Sequence, residues 1–306
     1  MNEPSMKKTS IKIIIPYFGQ WPEWINLFMC SCQYNPDIDW LFFTDCDEPD
    51  IKPPNTSFIH ITFNDYKKLV SEKLKINFNQ SDPYKLCDLK PAYGYIHQEE
   101  LVGSDFFGFG DLDVIYGRLR HFLTEDILQK YQLIATHNNR ISGHFCLLRN
   151  NETMRNAFRR MPHWQTLLET QSHIGIDESK FTKVFMPHRK HPDWLKTIYG
   201  LFNPLWRNNY FYEQYSTILS PTLWIDGSLN HPQEWHWQEG RLTNTIDHDR
   251  EFMYLHFMNW KSSKWLNKQY GENAAWEKLD SLVHFDSKTE NNRWRITESG
   301  FYTQTV

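Results

Sequence analysis

Two aspartates stand one residue apart, Asp111 and Asp113, directly after a run of Phe and Gly at 106–110. Side chains alternate along a strand, so both carboxylates should point the same way, with Leu112 on the opposite side. Two like charges this close repel each other and require a compensating cation. A hard divalent ion such as Mn²⁺ or Mg²⁺ takes oxygen ligands and can bridge to phosphate. The pattern alone leaves two interpretations open: a metal site, or two solvated carboxylates in a turn.

A histidine and a lysine much later in the chain could complete such a site. His256 lies near the end of an apolar run at 253–257, and Lys261 follows shortly after it. An Asp-x-Asp pair and a distant histidine make a plausible three-ligand metal site. Diphosphate oxygens and water would complete its coordination shell. Lys261 would then neutralise phosphate charge. The alternative for His256 is a core histidine whose ring is satisfied by a backbone carbonyl.

Composition limits the class of protein. The 306 residues are 40% hydrophobic, which is enough for a core and excludes a disordered chain. The formal net charge of -4 argues against a dedicated nucleic-acid binder, which usually carries a basic surplus. Aromatic residues make up 16% of the chain. They could line a carbohydrate or nucleotide site, where sugar faces and bases stack on rings, although most should fill the core.

The cysteines and the apolar runs indicate a cytoplasmic protein. The five cysteines are odd in number, and the pair Cys30 and Cys32 has no second pair to make a zinc site or a disulfide framework. The first apolar run, at 11–15, is far too short for a signal or a membrane span. We therefore expect a soluble protein with at most peripheral contact with the inner face of a membrane.

Apolar periodicity predicts alternating strands and helices, which is typical of an α/β protein with a parallel sheet. Pro91 should kink one helix or start its second segment. Strands are predicted at 11–15, 39–45, 58–62, 105–110, 133–136, 142–149 (with its leading turn), 253–257 and 294–296. Helices are predicted at 24–33, 64–75, 84–98, 119–130, 151–160 and in the segment that ends near 185, with Asp177 as candidate N-cap.

No repeat, low-complexity run or linker divides the chain, so we expect one domain over 1–306. Its nucleotide-binding core would cover 11–186, and 187–306 would supply acceptor-side and C-terminal elements. Residues 187–245 are rich in Trp, Tyr, His and Pro but poor in periodicity. That segment is predicted to be irregular, with short strands such as 222–225.

These motifs, in this order, resemble those of the GT-A fold glycosyltransferases that use nucleotide-sugar donors. The closest resemblance is to the retaining group that includes lipopolysaccharide galactosyltransferases and glycogenin, and to a bacterial family associated with surface-polysaccharide gene clusters. The motifs span roughly 11–265. They are the Lys85 and Asp88 helix, Asp111-Leu112-Asp113, the turn Ser142-Gly143-His144, the acid pair Asp177-Glu178 and the segment from His256 to Lys261. Relative to that group, Ser142 replaces Asn, Glu178 replaces Gln, and the histidine motif lacks its Gly and Pro-Trp.

The resemblance implies a GT-A, Rossmann-like mixed sheet, mostly parallel and flanked by helices, and a role for each candidate residue. It implies transfer of a sugar from a nucleotide diphosphate, with UDP-sugars favoured, to a glycan or lipid-linked acceptor in surface-polysaccharide synthesis, with retention slightly favoured. No nucleic acid is expected as a partner. The implied metal ligands for Mn²⁺ or Mg²⁺ are Asp111, Asp113 and His256; donor-binding residues are Pro16, Tyr17, Phe18, Asp45, Lys85, Asp88, Asp111 and Lys261; Asp177 and Glu178 lie near the anomeric carbon as catalytic candidates.

Each candidate also has a purely structural interpretation. Lys85 and Asp88 could form a solvated i, i+3 pair on a helix surface. Asp45 and Asp177 could only cap a turn or a helix, and Glu178 could face solvent. Two other classes of protein also remain: a metal-dependent nucleotidyltransferase or phosphohydrolase, which also uses paired acids, and a non-catalytic carbohydrate-binding protein.

Overall fold

The strands in the described part of the protein form three sheets. The computed structural model describes residues 8–186, 191–214, 224–228, 232, 234–257, 293–297 and 300–303. Within these ranges the strands are β1 (Ile11–Tyr17), β2 (Ile38–Thr44), β3 (Thr56–His60), β4 (Phe106–Gly110), β5 (Val114–Tyr116), β6 (Leu133–Ala135), β7 (Phe145–Arg149), β8 (Asn209–Phe211), β9 (Glu234–Gln238), β10 (Arg241–Asn244), β11 (Tyr254–His256), β12 (Arg293–Thr297) and β13 (Gly300–Thr303).

Most helices in the described ranges are short. They are α1 (Ile25–Gln33), α2 (Phe63–Leu74), α3 (Leu86–Leu89), α4 (Tyr93–Ile96), α5 (Leu119–Phe122), α6 (Glu125–Lys130), α7 (Glu152–Arg155), α8 (Trp164–Glu169), α9 (Lys180–Phe185) and α10 (Asp193–Phe202). Short 3₁₀ helices cover Pro83–Lys85, Lys90–Ala92, Ala157–Arg160 and Pro204–Trp206. None of the described helices is both long enough and apolar enough to cross a membrane.

The main sheet has seven strands in the order β3-β2-β1-β4-β7-β6-β8. The first four are mutually parallel, β7 runs antiparallel to both neighbours, and β6 pairs parallel with β8. Alternating residues of β1 bury opposite faces: Ile14 packs in the cluster that contains α2 and α4, and Ile13 in the cluster that contains α1 and α5. The predicted mixed, mostly parallel α/β sheet is therefore confirmed, with helices on both faces.

A second sheet, in the order β10-β9-β12-β13, is antiparallel and built around tryptophans. Trp235, Trp237 and Trp294 share a buried cluster with Ile115 of β5 and Leu255 of β11. The indole N–H of Trp237 donates to the Tyr116 carbonyl at 2.8 Å. β5 and β11 form a separate two-stranded antiparallel ladder, so this cluster ties the ladder to the second sheet.

The described part of 187–245 contains short strands, β8, β9 and β10, of the kind predicted, although not at the residues named, and it also contains the helix α10, which was not predicted. The sequence Glu-Trp-His-Trp-Gln of β9 does alternate strictly, with both Trp buried, so the strand signal was present. Of the predicted strand 222–225, only Trp224 and Ile225 are described, and neither lies in a strand.

One helix prediction is confirmed in its interruption, and two need correction. The helix predicted at 84–98 is divided into α3 and α4 around Pro91, as expected, because Pro91 has no N–H to donate. The helix predicted at 119–130 is two helices, because Thr124 caps α6 by accepting from the Ile127 N–H at 3.4 Å. Asp177 is not an N-cap, since α9 begins at Lys180 with Ser179 in the cap position.

Candidate metal and donor site

The aspartate pair lies in a bend between β4 and β5 rather than on an extended strand. Leu112 is buried, and its carbonyl accepts from the Trp24 indole N–H at 2.8 Å. The bend lies beside the turn that leads into β7, because the Asp111 N–H donates to the His144 carbonyl at 3.3 Å. The backbone here is a bend rather than the expected strand, but the side chains are arranged as predicted: both carboxylates face a cleft, and Leu112 is buried.

The ladder of β5 and β11 brings His256 to the aspartates. His256 is the register partner of Val114, and the Phe257 N–H donates to the Asp113 carbonyl at 3.0 Å. The His256 Nε2 atom lies 3.7 Å from the Asp113 Oδ1 atom. One ligand atom from each of Asp111, Asp113 and His256 lies within 4.8 Å of the others. Side chains distant in sequence thus converge at one point.

His256 is buried, and neither ring nitrogen has a hydrogen-bond partner among the described residues. Burial lowers its pKa to about 3, although the charge of Asp111 opposes the shift, so the ring is neutral. A buried imidazole with both nitrogens unsatisfied is costly unless something binds it. A neutral imidazole beside two carboxylates is a donor set that suits a divalent cation, so these three side chains fit the metal that the sequence predicted.

The ring of His256 stacks on His144, with centroids 3.9 Å apart and an interplanar angle of 24°. His144 is itself fixed by a hydrogen bond of 2.7 Å between its Nε2 atom and the Tyr254 hydroxyl. Packing therefore orients His256. In most histidine metal ligands, a hydrogen bond from the other ring nitrogen does this instead.

A buried lysine, Lys90, joins the aspartate pair to the acid pair. Its Nζ atom lies 2.5 Å from Asp111 Oδ1 and 3.8 Å from Asp177 Oδ2. Burial by itself would lower the pKa of Lys90, but the nearby negative charges, that of Asp111 above all, raise it well above its ordinary value. Lys90 is therefore a fixed cation beside both acids, and part of the compensating charge that the aspartates require comes from the chain itself.

The turn before β7 positions the acid pair. The Gly143 N–H donates to Glu178 Oε1 at 3.0 Å, and a Cβ on Gly143 would lie 2.6 Å from Asp177 Oδ2, so only glycine fits there. Burial raises the pKa of Asp177 to about 7; Lys90 opposes this shift, and the charges of Glu178 and Asp111 add to it. Asp177 is thus a buried carboxyl that titrates near neutrality, whereas Glu178 is partly exposed and 3.5 Å from Arg140.

Lys85 and Asp88 form the predicted i, i+3 pair, but the pair is buried rather than on the surface. Lys85 donates to Asp88 at 2.9 Å and to the carbonyls of Leu167 and Ser172. Asp88 also accepts from the backbone N–H groups of Ile174 and Ile176, both at 2.9 Å. These contacts hold the segment that leads to Asp177. Donor contact by this pair stays a prediction.

Two clefts meet at Asp111 and Lys90. The first, of about 500 Å³, lies at the carboxyl end of β1. The second, of about 590 Å³, opens over the acid pair. The clefts share Tyr84, Cys87, Lys90 and Asp111; Pro16, Tyr17, Phe18 and Asp113 line the first, and Arg140, His144, Asp177, Glu178 and His256 line the second.

The candidate nucleoside residues differ in how much they offer a ligand. Pro16 is buried, and Phe18 packs into the core against Tyr66. Tyr17 is half-buried, with its ring stacked on Trp21 at 5.1 Å. Asp45 is exposed and accepts from the Gly19 N–H at 2.8 Å, so it braces the loop that follows β1. Their role in binding stays a prediction.

Lys261 lies outside the described residues. The residues that sequence reasoning did not select are Lys90 and His144. Lysine is rarely buried, so burial of Lys90 could not be expected from its type. Its position directly before Pro91, in the predicted helix with Asp88, was the available signal.

Fold and site together define an α/β protein with a candidate divalent-metal site between two clefts. The chain belongs to a family of unknown function (DUF6625), whose model matches residues 13–285. A comparison with curated proteins gives no match.

Among solved structures, the chain is similar to galactosyltransferase LgtC in complex with donor and acceptor sugar analogs, at 11% identity and a TM-score of 0.34, over 55% of this chain and 71% of that chain. An active-site mutant of LgtC is similar at 10% identity and a TM-score of 0.40, over 81% and 87%. Mouse xyloside xylosyltransferase 1 in its apo form is similar at 11% identity and a TM-score of 0.33, over 67% and 96%.

Proposed function

We propose that this protein is a divalent-metal-dependent glycosyltransferase of the GT-A type that uses a nucleotide-diphosphate sugar as donor. The observation that carries the proposal is the convergence of Asp111, Asp113 and the unsatisfied ring of His256 where two clefts meet. A donor diphosphate needs such a point, with a nucleoside on one side and a sugar on the other. Lys90 adds a fixed positive charge where the leaving diphosphate would develop negative charge.

The two clefts would divide the substrates. The first cleft, at the end of β1, would hold the nucleoside, because ligands of open α/β sheets bind outside the carboxyl ends of the strands. Tyr17 and Tyr84 offer ring faces there for the base. The second cleft would hold the sugar and the acceptor, a glycan or a lipid-linked glycan, beside Asp177 and Glu178.

In the proposed reaction the bond between the anomeric carbon and the diphosphate oxygen breaks, and a bond to the acceptor hydroxyl oxygen forms. The nucleoside diphosphate leaves, and the acceptor proton passes to a base. A divalent ion held by Asp111, Asp113 and His256 would supply a Lewis acid for the leaving group. Asp177, with a pKa raised to about 7, fits an acid–base role near neutral pH. With retention, which the motif order favours, its carboxylate would stabilise positive charge at the anomeric carbon.

The direct test is turnover of a panel of UDP-sugars with Mn²⁺, measured as released UDP, for the wild type and for Asp113→Asn. The variant keeps the shape of the side chain and removes the charge, so we expect turnover to fall about 10²-fold or more and the Mn²⁺ affinity to fall with it. Asp249→Asn is the matched control, since that carboxylate is 99% exposed and forms an ion pair with Arg241 on the surface.

Two outcomes would contradict the proposal. Unchanged metal-dependent turnover in Asp113→Asn would remove this site from the reaction. Release of UMP instead of UDP would mean that the α–β phosphate bond is cleaved, and would indicate the nucleotidyltransferase or phosphohydrolase class.

A further inference from the structure

The helix α10 exposes an apolar stripe to solvent. Trp194 is 66% and Phe202 is 80% exposed, and Ile198 and Leu201 between them are also exposed. At 3.6 residues per turn these four side chains fall within an arc of roughly 100° on one face. The opposite face is the one that packs: Gly200 is buried against Arg207, and Tyr199 is near Trp206.

This amphipathicity is the reverse of that of an ordinary surface helix, whose apolar face covers the core. Exposed large apolar side chains that occur singly need no explanation, but a continuous stripe on one helix does. The two aromatic side chains, Trp194 and Phe202, lie at the two ends of the helix. Interfacial helices insert such side chains at the boundary between headgroups and acyl chains.

The segment of the chain that contains the stripe is rich in positive charge. From 180 to 207 the sequence carries six Lys or Arg and a single acid, Asp193, in a protein whose formal net charge is -4. Among the described residues, Lys180 and Lys183 are exposed on α9, and Arg207 is exposed just beyond α10. An apolar stripe within a basic region on an otherwise acidic protein is complementary to an anionic lipid surface.

The other face of α10, opposite the stripe, packs beside the second cleft. Phe185 and Met186 at the end of α9 line a small cavity of about 220 Å³ together with Lys196 and Tyr199 of α10. Met186 and Lys183 line the second cleft as well. The cleft over the acid pair is therefore continuous, through one shared residue, with the helix that carries the stripe.

From these observations we propose that α10 docks the protein on an anionic phospholipid bilayer, with Trp194, Ile198, Leu201 and Phe202 in the interface and the exposed side chains of Lys180, Lys183 and Arg207 near the headgroups. The proposal depends on the stripe and the charge alone, and it stands or falls separately from sugar transfer.

The test is co-sedimentation of the full chain with phosphatidylcholine vesicles, with and without phosphatidylglycerol, in the absence of metal and sugar. We expect the wild type to bind the anionic vesicles and to dissociate as salt is raised. The double variant Trp194→Ser with Phe202→Ser should bind about tenfold more weakly. Lys180→Glu with Lys183→Glu should also weaken binding. Val102→Ser, at a residue that is 82% exposed in a turn elsewhere, should bind like the wild type.

Both apolar substitutions are at exposed positions, and unchanged thermal unfolding will verify that the double variant is folded. Equal binding by the double variant and the wild type would overturn the proposal. The proposal would also be overturned if the wild type does not bind the vesicles and is a dimer in solution, whereas the double variant is a monomer. The stripe would then be an interface between two copies of this chain.

Discussion

His144 shows how a single residue can orient a metal ligand without a hydrogen bond to it. Its ring covers His256 at 3.9 Å, and the Tyr254 hydroxyl holds that ring in place. In the sequence His144 is visible only as part of the turn Ser142-Gly143-His144, because residue spacing does not indicate which rings will stack. The contact exists because β7 and β11 reach the same point from different parts of the chain.

We expect His144→Ala to lower the Mn²⁺ affinity about tenfold, as loss of orienting partners of metal ligands commonly does. His144→Phe keeps a flat ring over His256 and should stay within a few-fold of the wild type. Calorimetric titration with Mn²⁺ in the absence of substrate measures both. Equal affinity in the Ala variant would show that the stack does not position His256.

Asp177 should make stability depend on pH. Its pKa is raised from 3.8 to about 7 by burial, so between these values the folded state keeps a proton that the unfolded state has lost. Raising the pH through this window therefore favours unfolding, by at most about 1.4 kcal/mol per pH unit, and the contribution is constant above and below it.

Asp177→Asn removes this titration. The free energy of unfolding of the variant should therefore fall less than that of the wild type as the pH rises through this window. Urea unfolding of the metal-free wild type and variant across the window measures the difference. Asp249→Asn should keep the slope of the wild type, because its carboxylate is exposed. Parallel curves for the wild type and Asp177→Asn would contradict the assigned pKa.

At the scale of elements, the broken helix that contains α3 and α4 is held by a charge pair. Lys85 and Asp88 are 1% and 0% exposed, and they bond to carbonyls and N–H groups of the segment from Leu167 to Ile176. The spacing was visible in the sequence, but its burial was not, since the same i, i+3 spacing also fits an exposed pair. Residues from distant elements decide which of the two occurs.

The chain offers a matched comparison. Lys68 and Asp65 form an i, i+3 ion pair at 2.8 Å, but Lys68 is 72% exposed. We expect Lys85→Met to destabilise the protein by about 3–5 kcal/mol, because Asp88 is left as an uncompensated buried charge. Lys68→Met should leave the free energy of unfolding close to that of the wild type, because solvent screens the exposed pair. Chemical unfolding measures both, and similar values for the two variants would show that the buried pair is dispensable.

At the scale of the whole molecule, the parallel half of the sheet was the most predictable part. Its strands β1, β2 and β4 are apolar runs in which most residues are buried, so hydrophobicity alone marks them. Of the second sheet only β12 was predicted, by the strand expected at 294–296. The other strands were missed because they are short and because polar residues such as His, Glu and Arg interrupt the sheet's apolar positions. Only their period of two distinguishes them from a loop.

The site was partly predictable for a related reason. Acids at strand ends can be found in one sequence, because apolar runs mark where strands stop, and Asp111, Asp113 and His256 were selected in this way. Lys90 and the stack on His256 could not be found, because they depend on how separate elements pack. A pattern of residue types does not report such packing.

The ladder of β5 and β11 has a consequence for how the protein is made. The last described strand of the seven-stranded sheet, β8, ends at Phe211, whereas His256 comes much later in the chain. Synthesis proceeds from the N-terminus, so the sheet can form while the third candidate ligand is still unmade. Lys90, whose ammonium group pairs with Asp111 in the folded protein, is already synthesised by then. A positive charge for Asp111 is thus present before β11 completes the metal site.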